Sequence, residues 1–123
     1  MIKRTKEFAL RIMKLVRALP GTVQGRSIAN QLMRSGTSVA ANYRAACRAR
    51  SKAEFISKLG TVEEEADESA FWMELIIEGD LLGDKQVRPL LTEASELVAV
   101  AAASKKTASG TKSQIANRNS QIS

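Results

Sequence analysis

Seven cationic side chains lie near the ends of segments with helical periodicity, and their chemistry suits the binding of phosphate groups. They are Lys3, Arg4, Lys6, Arg44, Arg48, Arg50 and Lys52. Lysine and arginine donate charge-assisted hydrogen bonds to phosphate oxygens, and binding to a polyanion through several of them weakens as salt concentration rises. Tyr43 is the only aromatic residue near them, so base stacking would contribute little. The pattern predicts non-specific binding of nucleic acid.

Two simpler explanations compete with a phosphate site. Cations near a helix C-terminus stabilise the helix dipole, which accounts for Arg44 and Arg48. The same rule fails for Lys3, Arg4 and Lys52, which lie near predicted N-termini, where a cation opposes the dipole. A solvated charged face is the other explanation. The convergence of several helix ends favours an anion-binding surface over both.

The remaining reactive side chains do not indicate an enzyme. The sequence has no histidine, the commonest general base and metal ligand. The carboxylates from Glu63 to Glu68 follow one another on a predicted helix, so they diverge around it and suit a solvated face better than an acid–base pair or a two-metal site. The single cysteine, Cys47, is interpreted as a small buried hydrophobic residue. We therefore predict no catalytic residue, no metal site and no cofactor.

Three polar residues are assigned structural roles. Asn42 lies at the edge of an apolar helical stripe, where a buried amide needs a partner. We interpret it as an interhelical hydrogen bond or a device that fixes the bundle register, in preference to a ligand contact. Ser51 and Glu54 have the spacing of a capping box at the start of a helix.

Four segments with apolar residues at helical spacing must position these side chains. Their predicted ranges are 6–19, 27–48, 52–78 and, starting between 85 and 89, a fourth that ends at about 103. Gly25 is predicted to end the first turn, and Asp84 to cap the fourth helix. The predicted fold is all-α: an up-down-up-down antiparallel four-helix bundle over residues 1–107, followed by a flexible basic C-terminal tail over residues 108–123.

Charge is segregated along the chain. Residues 1–52 carry 12 Lys/Arg and one acid, residues 53–103 carry three Lys/Arg and 12 acids, and the last twenty add four cations, for a net charge of +6. In an antiparallel bundle the starts of helices 1 and 3 meet the ends of helices 2 and 4. This gathers the seven cations, with Lys105 and Lys106, at one surface, which we call the basic end. The acids of helix 3 are expected to neutralise Arg34 but not Arg44, Arg48 or Arg50.

Apolar residues exceed what one small core requires. They cover nearly the whole circumference of the third helix near its end and of the fourth helix over residues 98–103. A helix that is apolar all round is buried on more than one side, so we predict a homo-oligomer. The predicted interface residues are Phe71, Trp72, Ile77 and Val100.

Length and composition indicate one soluble globular domain in this chain of 123 residues. The apolar runs are far shorter than the roughly 20 residues needed to span a bilayer, and no secretory signal is expected. One cysteine excludes an intramolecular disulfide framework. We predict a cytoplasmic protein without a membrane partner.

Several residue clusters resemble a known family. They are Gln31-Leu32, Arg34-Ser35, the run Ser38–Asn42, Arg50-Ser51 and Glu54-Phe55, with Leu59 and an acidic third helix. They are similar to the bacterial four-helix bundle protein family, which includes proteins encoded in intervening sequences of large-subunit ribosomal RNA genes and accessory proteins of diversity-generating retroelements. The resemblance covers about residues 6–104. Where members often continue after the matching Asn with an acidic residue and Gly, this chain has Tyr43-Arg44-Ala45-Ala46, which makes the end of helix 2 more basic.

This resemblance implies a homopentameric ring of bundles that binds RNA or DNA and, in the retroelement branch, a reverse transcriptase. With the basic end, it predicts a non-enzymatic, homo-oligomeric protein that binds nucleic acid as an accessory to an RNA or reverse-transcription process. The alternative is a protein-interaction scaffold that docks a partner such as a reverse transcriptase and has no direct role with nucleic acid.

Overall fold

Four helices make up the fold of this protein, analysed as a computed structural model. They are α1 (Ile2–Ala18), α2 (Val23–Cys47), α3 (Lys52–Glu78) and α4 (Asp84–Ile122). The structure describes residues 1–122, with side chains described for residues 1–110. Packing is extensive between α1 and α2, α2 and α3, and α3 and α4, but much smaller between α1 and α4. Short turns join consecutive antiparallel helices, which confirms the predicted all-α up-down-up-down bundle.

The core follows the predicted helical spacing. Its largest fully buried apolar side chains are Phe8, Ile12, Leu32, Val39, Leu59, Val62, Met73, Ile76, Val87 and Leu97. Burying one such side chain contributes about 1.5–3 kcal/mol. The helices continue beyond this core at the basic end, where α4 passes its predicted end and residues 104–110 are helical. The predicted tail, residues 108–123, lies almost wholly outside the described side chains.

The turn between α1 and α2 differs from the prediction. Thr22 caps α2 by accepting a hydrogen bond from the Gly25 N–H at 3.1 Å, so α2 begins at Val23 and Gly25 lies inside its first turn. A Cβ on Gly25 would lie 2.0 Å from the carbonyl oxygen of Pro20. The predicted turn role of Gly25 is therefore wrong: glycine is required here by the close approach of the preceding turn.

The turn between α3 and α4 also differs in one detail. Asp80 adopts a left-handed conformation with φ 57°, and the Leu81 N–H donates to the Ile76 carbonyl at 2.9 Å, an arrangement that closes α3. The backbone carbonyl of Gly83 accepts the first hydrogen bonds of α4. Asp84, predicted to be the cap, instead lies in the first turn, where its carboxylate accepts from Arg88 Nε at 3.2 Å.

The start of α3 is fixed by Ser51 and Glu54. The Ser51 hydroxyl accepts a hydrogen bond from the Glu54 N–H at 3.1 Å. The Glu54 carboxylate accepts from the Arg50 N–H at 3.1 Å, one residue before the position that a capping box uses. These two bonds order the turn that carries Arg50 and connects α2 to α3.

Replacing Ser51 with alanine is expected to lower the free energy of unfolding by about 1 kcal/mol, because the Glu54 N–H loses its acceptor. Urea unfolding followed by circular dichroism measures the change. Ser57→Ala is the matched control, since Ser57 is exposed within α3 and caps nothing. Equal stability of the two variants would show that the Ser51 cap contributes nothing.

Candidate nucleic-acid interface

The first turns of α1 and the last turns of α2 meet at the basic end and form a groove of about 620 Å³. The groove is lined by Ile2, Lys6, Ala40, Ala41, Arg44, Cys47 and Arg48. Ile2, Ala40 and Ala41 give the groove an apolar surface, and its charged side chains are those of Lys6, Arg44 and Arg48. No acidic side chain within residues 1–110 lines it. Phosphate oxygens entering this groove would therefore meet three positive charges and no negative one.

The cations of the groove are free to bind a ligand. Within residues 1–110, no ion pair or side-chain hydrogen bond involves Lys6, Arg44 or Arg48, and all three are exposed. Lys3 lies one turn before Lys6 on α1. Arg50 lies in the α2–α3 turn, and Lys52 lies at the start of α3. The side chains of Lys3, Arg50 and Lys52 are likewise exposed and without an ion pair among the described residues.

Arg4 is the exception among the seven predicted binding residues. Its guanidinium donates to both carboxylate oxygens of Glu93 on α4, at 2.7 and 2.8 Å, and to Glu96 at 3.3 Å. The hydrogen bond from Arg4 lowers the pKa of Glu93 below its usual value. Arg4 lies on the side of α1 that faces α4, whereas Lys6 lies on the side that faces α2. The structure therefore removes Arg4 from the unneutralised surface.

Three acids of α3 pair with cations away from the groove. Arg34 donates to Glu65 at 3.1 Å and also to Glu68, so the expectation that α3 neutralises Arg34 is confirmed. The Trp72 Nε1–H, and then Arg34, lower the pKa of Glu68 by hydrogen bonding. Lys105 lies 3.4 Å from Glu63, so this predicted contributor to the basic end is paired as well. The pairing leaves the positive charge concentrated where α1 meets the end of α2.

A second groove, of about 560 Å³, lies at the same end of the bundle, between the start of α3 and α4. It is lined by Lys52, Phe55, Val100, Ala103, Ser104, Thr107 and Ala108. Its walls are mainly apolar, with Lys52 at its edge. Val100, predicted as an interface residue, faces this groove. This site suits an apolar side chain better than a phosphate.

Asn42 and Cys47 do not behave as predicted. The Asn42 side-chain amide donates to the backbone carbonyl and the hydroxyl of Ser38, at 2.9 and 2.8 Å, so its bonds stay within α2. The buried interhelical contact is made instead by the hydroxyls of Ser35 and Ser69, 2.9 Å apart. Cys47 is exposed in the groove because it is turned about 100° around α2 from its buried neighbour Ala46. The sequence prediction missed the contact between Ser35 and Ser69. It could have been inferred because each of these serines lies on the apolar stripe of its helix.

The predicted oligomer interface residues have different environments. Phe71 is 49% exposed, and its ring packs edge to face on Trp72 at a centroid distance of 5.0 Å. Trp72 and Ile77 are half-buried and pack against the core of their own chain. Tyr43 also packs there, and burial followed by the neighbouring Cys47 raises its pKa. Of these aromatic side chains, Phe71 is the one that presents a large apolar surface to solvent.

Among the described residues, no group of three or more His, Cys, Asp or Glu side chains is placed to hold a metal ion. No helix within the described part of the chain is long and apolar enough to cross a membrane.

The chain is similar to one protein family and to a solved structure. A family profile described as 23S rRNA-intervening sequence protein matches residues 1–103, from α1 into α4. A crystal structure of a protein of unknown function from the S23 ribosomal protein family of Bacteroides thetaiotaomicron is similar, with a TM-score of 0.77 and 32% identity. That match covers 85% of this chain and 97% of the other. No curated protein gives a significant match.

Proposed function

The chain belongs to the 23S rRNA-intervening sequence protein family, and from this premise we propose that it is a non-enzymatic, homo-oligomeric protein that binds nucleic acid non-specifically through its basic end. The family description refers to 23S rRNA, so RNA is the first polyanion to test. The protein would act as an accessory to an RNA process, by holding RNA without reading its sequence.

The observation that carries this proposal is the unneutralised groove between α1 and α2. Lys6, Arg44 and Arg48 come from segments that are about forty residues apart in the sequence, yet they line one groove whose described lining contains no acid. Three acids of α3, Glu63, Glu65 and Glu68, are instead engaged by Arg34 and Lys105. Cations that served only solubility could lie anywhere on the surface. They would not need to be unpaired in the groove and paired outside it.

The free energy expected from the phosphate contacts predicts weak RNA binding by one chain and stronger binding by an assembly. A hydrogen bond to a charged group contributes about 1.5–3 kcal/mol, so three phosphate contacts give modest affinity. Linking several copies of the groove raises the effective affinity about 10²–10⁴-fold if one RNA reaches more than one copy. A homo-oligomer is therefore the form in which this surface would bind RNA well.

We expect the affinity for single-stranded RNA to fall linearly with salt on logarithmic axes, with a slope near −2, from about 0.7 per phosphate neutralised and three contacts per chain. Fluorescence anisotropy with labelled RNA, between about 50 and 200 mM salt, measures it. Because the groove offers no aromatic side chain for stacking, strands of equal length and unrelated sequence should bind alike. An affinity that does not respond to salt, or no binding at low salt, would contradict the proposal.

The mainly apolar second groove favours one other function, a scaffold that docks a protein partner such as a reverse transcriptase. Its walls, which include Phe55 and Val100, suit apolar side chains of a partner. Pull-down with the products of neighbouring genes separates the two functions. A partner that is retained after Arg44, Arg48 and Arg50 are changed to Glu would favour the scaffold.

A further inference from the structure

The outward face of α1 combines exposed apolar side chains with cations. Leu10 is 56% exposed and Met13 is 39% exposed, although both are large apolar residues and Phe8, Ile12 and Leu15 of the same helix are buried. Lys14 and Arg17 follow them on the same face and are exposed. Within residues 1–110 neither cation has an ion pair. We call these four residues the α1 stripe.

The outward face of α3 has the opposite charge and a similar pattern. Phe71 is 49% exposed. It lies among four exposed acids, Glu64, Asp67, Glu74 and Glu78. We call Phe71 and these acids the α3 stripe. Arg88 of α4 lies near Glu74 and Glu78, but its guanidinium is hydrogen bonded to Asp84. The acids of the α3 stripe therefore lack a close ion-pair partner among the described residues.

The apolar centres of the two stripes lie at the same height in the bundle. Ile12 of α1 lies against Gly36 of α2. The preceding residue of α2, Ser35, contacts Ser69 of α3. These contacts place Leu10 and Met13 level with Phe71. Because α1 and α3 run parallel, the charged pairs that follow these residues in the sequence extend towards the same end of the bundle.

We propose that the α1 stripe of one copy of this chain packs against the α3 stripe of the next copy. Leu10 and Met13 would cover Phe71, while Lys14 and Arg17 would face Glu74 and Glu78. This inference rests on the homo-oligomer of the proposed function and specifies its interface. Two cationic α1 stripes repel each other, as do two acidic α3 stripes, so like-with-like dimers are disfavoured and the contact is heterologous.

The position of the stripes fits closure of a ring. In a bundle whose neighbours are α1–α2, α2–α3 and α3–α4, α1 and α3 are diagonal, so their outward faces point in roughly opposite directions. A heterologous contact between such faces repeats from copy to copy and closes when the rotation permits. If all copies point the same way, the groove cations Arg44 and Arg48, which lie on α2 outside the contact, recur around one rim.

Charge reversal tests the contact on the full chain. One variant changes Lys14 and Arg17 to Glu, a second changes Glu74 and Glu78 to Lys, and a third combines all four changes. Lys85→Glu, at the exposed start of α4, is the control. Sedimentation velocity measures the assembly state, and circular dichroism checks the helix content. We expect the first two variants to dissociate at protein concentrations at least tenfold above those that dissociate the wild type. The third should reassemble with itself but not co-assemble with the wild type.

The outcomes separate this interface from the rest of the proposed function. A wild-type chain that stays monomeric overturns both the interface and the oligomer, whereas an oligomer unaffected by either reversal overturns the interface alone. RNA anisotropy on the same variants tests the binding function independently. If a reversed variant loses helix content, Leu10→Gln and Phe71→Gln provide the second test: both should weaken assembly, and full assembly by both would overturn the proposal.

Discussion

Gly36→Ala is expected to lower the free energy of unfolding by about 1–2 kcal/mol, although alanine is the better helix former. A Cβ at this position would lie 2.7 and 2.8 Å from the Cγ1 and Cγ2 atoms of Ile12. Ile12 is fully buried and β-branched, so its side chain has little freedom to move aside. Overpacking of this kind costs about 1–3 kcal/mol, and the gain in helix propensity, at most about 1 kcal/mol, offsets only part of it.

The consequence of Gly36→Ala extends to the groove. Relief of the clash requires α1 to move away from α2, and α1 has few contacts with α4 that would resist the movement. Lys6 is carried by α1, and Arg44 and Arg48 by α2, so the same displacement widens the groove that they line. We therefore expect RNA affinity to fall together with stability in this variant.

Gly60→Ala is the matched control, because it makes the same chemical change within a helix. A Cβ on Gly60 would meet nothing within 4 Å, so only the propensity gain remains, and stability should rise by about 0.5–1 kcal/mol. Urea unfolding at one fixed protein concentration compares the variants, since assembly would otherwise shift the transition. Changes of the same sign in both variants would show that the α1–α2 contact is not close-packed at Gly36.

The fold could be predicted from the sequence because helical periodicity and turn residues agree with each other along the chain. The exceptions are helix ends. Gly25 resembles a turn residue in sequence, but the Thr22 hydroxyl starts the helix earlier. A glycine is needed there because the carbonyl of Pro20, in the preceding turn, would lie 2.0 Å from a Cβ. This constraint depends on the path of the backbone between Pro20 and Gly25, which helical periodicity does not predict.

The candidate site was predictable at the level of helix ends but not of individual side chains. The sequence placed Arg4 and Lys6 on the same helix end, two residues apart. That spacing turns them about 200° from each other, so one faces Glu93 and the other faces the groove. Which side meets an acid depends on the identity of the neighbouring helix. Cys47 was missed for a related reason: it flanks the buried stripe of α2, and the flank on which it lies borders the groove.

Changing both Arg44 and Arg48 to Glu is expected to weaken RNA binding about 100-fold at low salt. Each arginine contributes a charge-assisted contact of at least about 1.5 kcal/mol, and about 1.4 kcal/mol corresponds to a factor of ten. The salt slope should also become shallower by about 1.4, because two fewer phosphates are neutralised at about 0.7 each. Both side chains are exposed and make no ion pair within residues 1–110, but they lie at the C-terminus of α2, where cations favour the helix dipole. The variant should therefore lose about 1–2 kcal/mol of unfolding free energy while keeping its helix content, which urea unfolding and circular dichroism measure.

The control for this variant changes Arg26 and Lys85 to Glu. Both pairs of reversals lower the net charge from +6 to +2, since each change removes two units, but Arg26 and Lys85 lie at the starts of α2 and α4, at the opposite end of the bundle. If the groove is the binding site, the control loses only the long-range attraction between its cations and RNA. Salt screens this attraction beyond about 10 Å, so the affinity of the control for RNA should fall a few-fold at most. Equal losses in the two variants would mean that RNA responds to the net charge of the protein and that the position of the cations on the basic end is irrelevant.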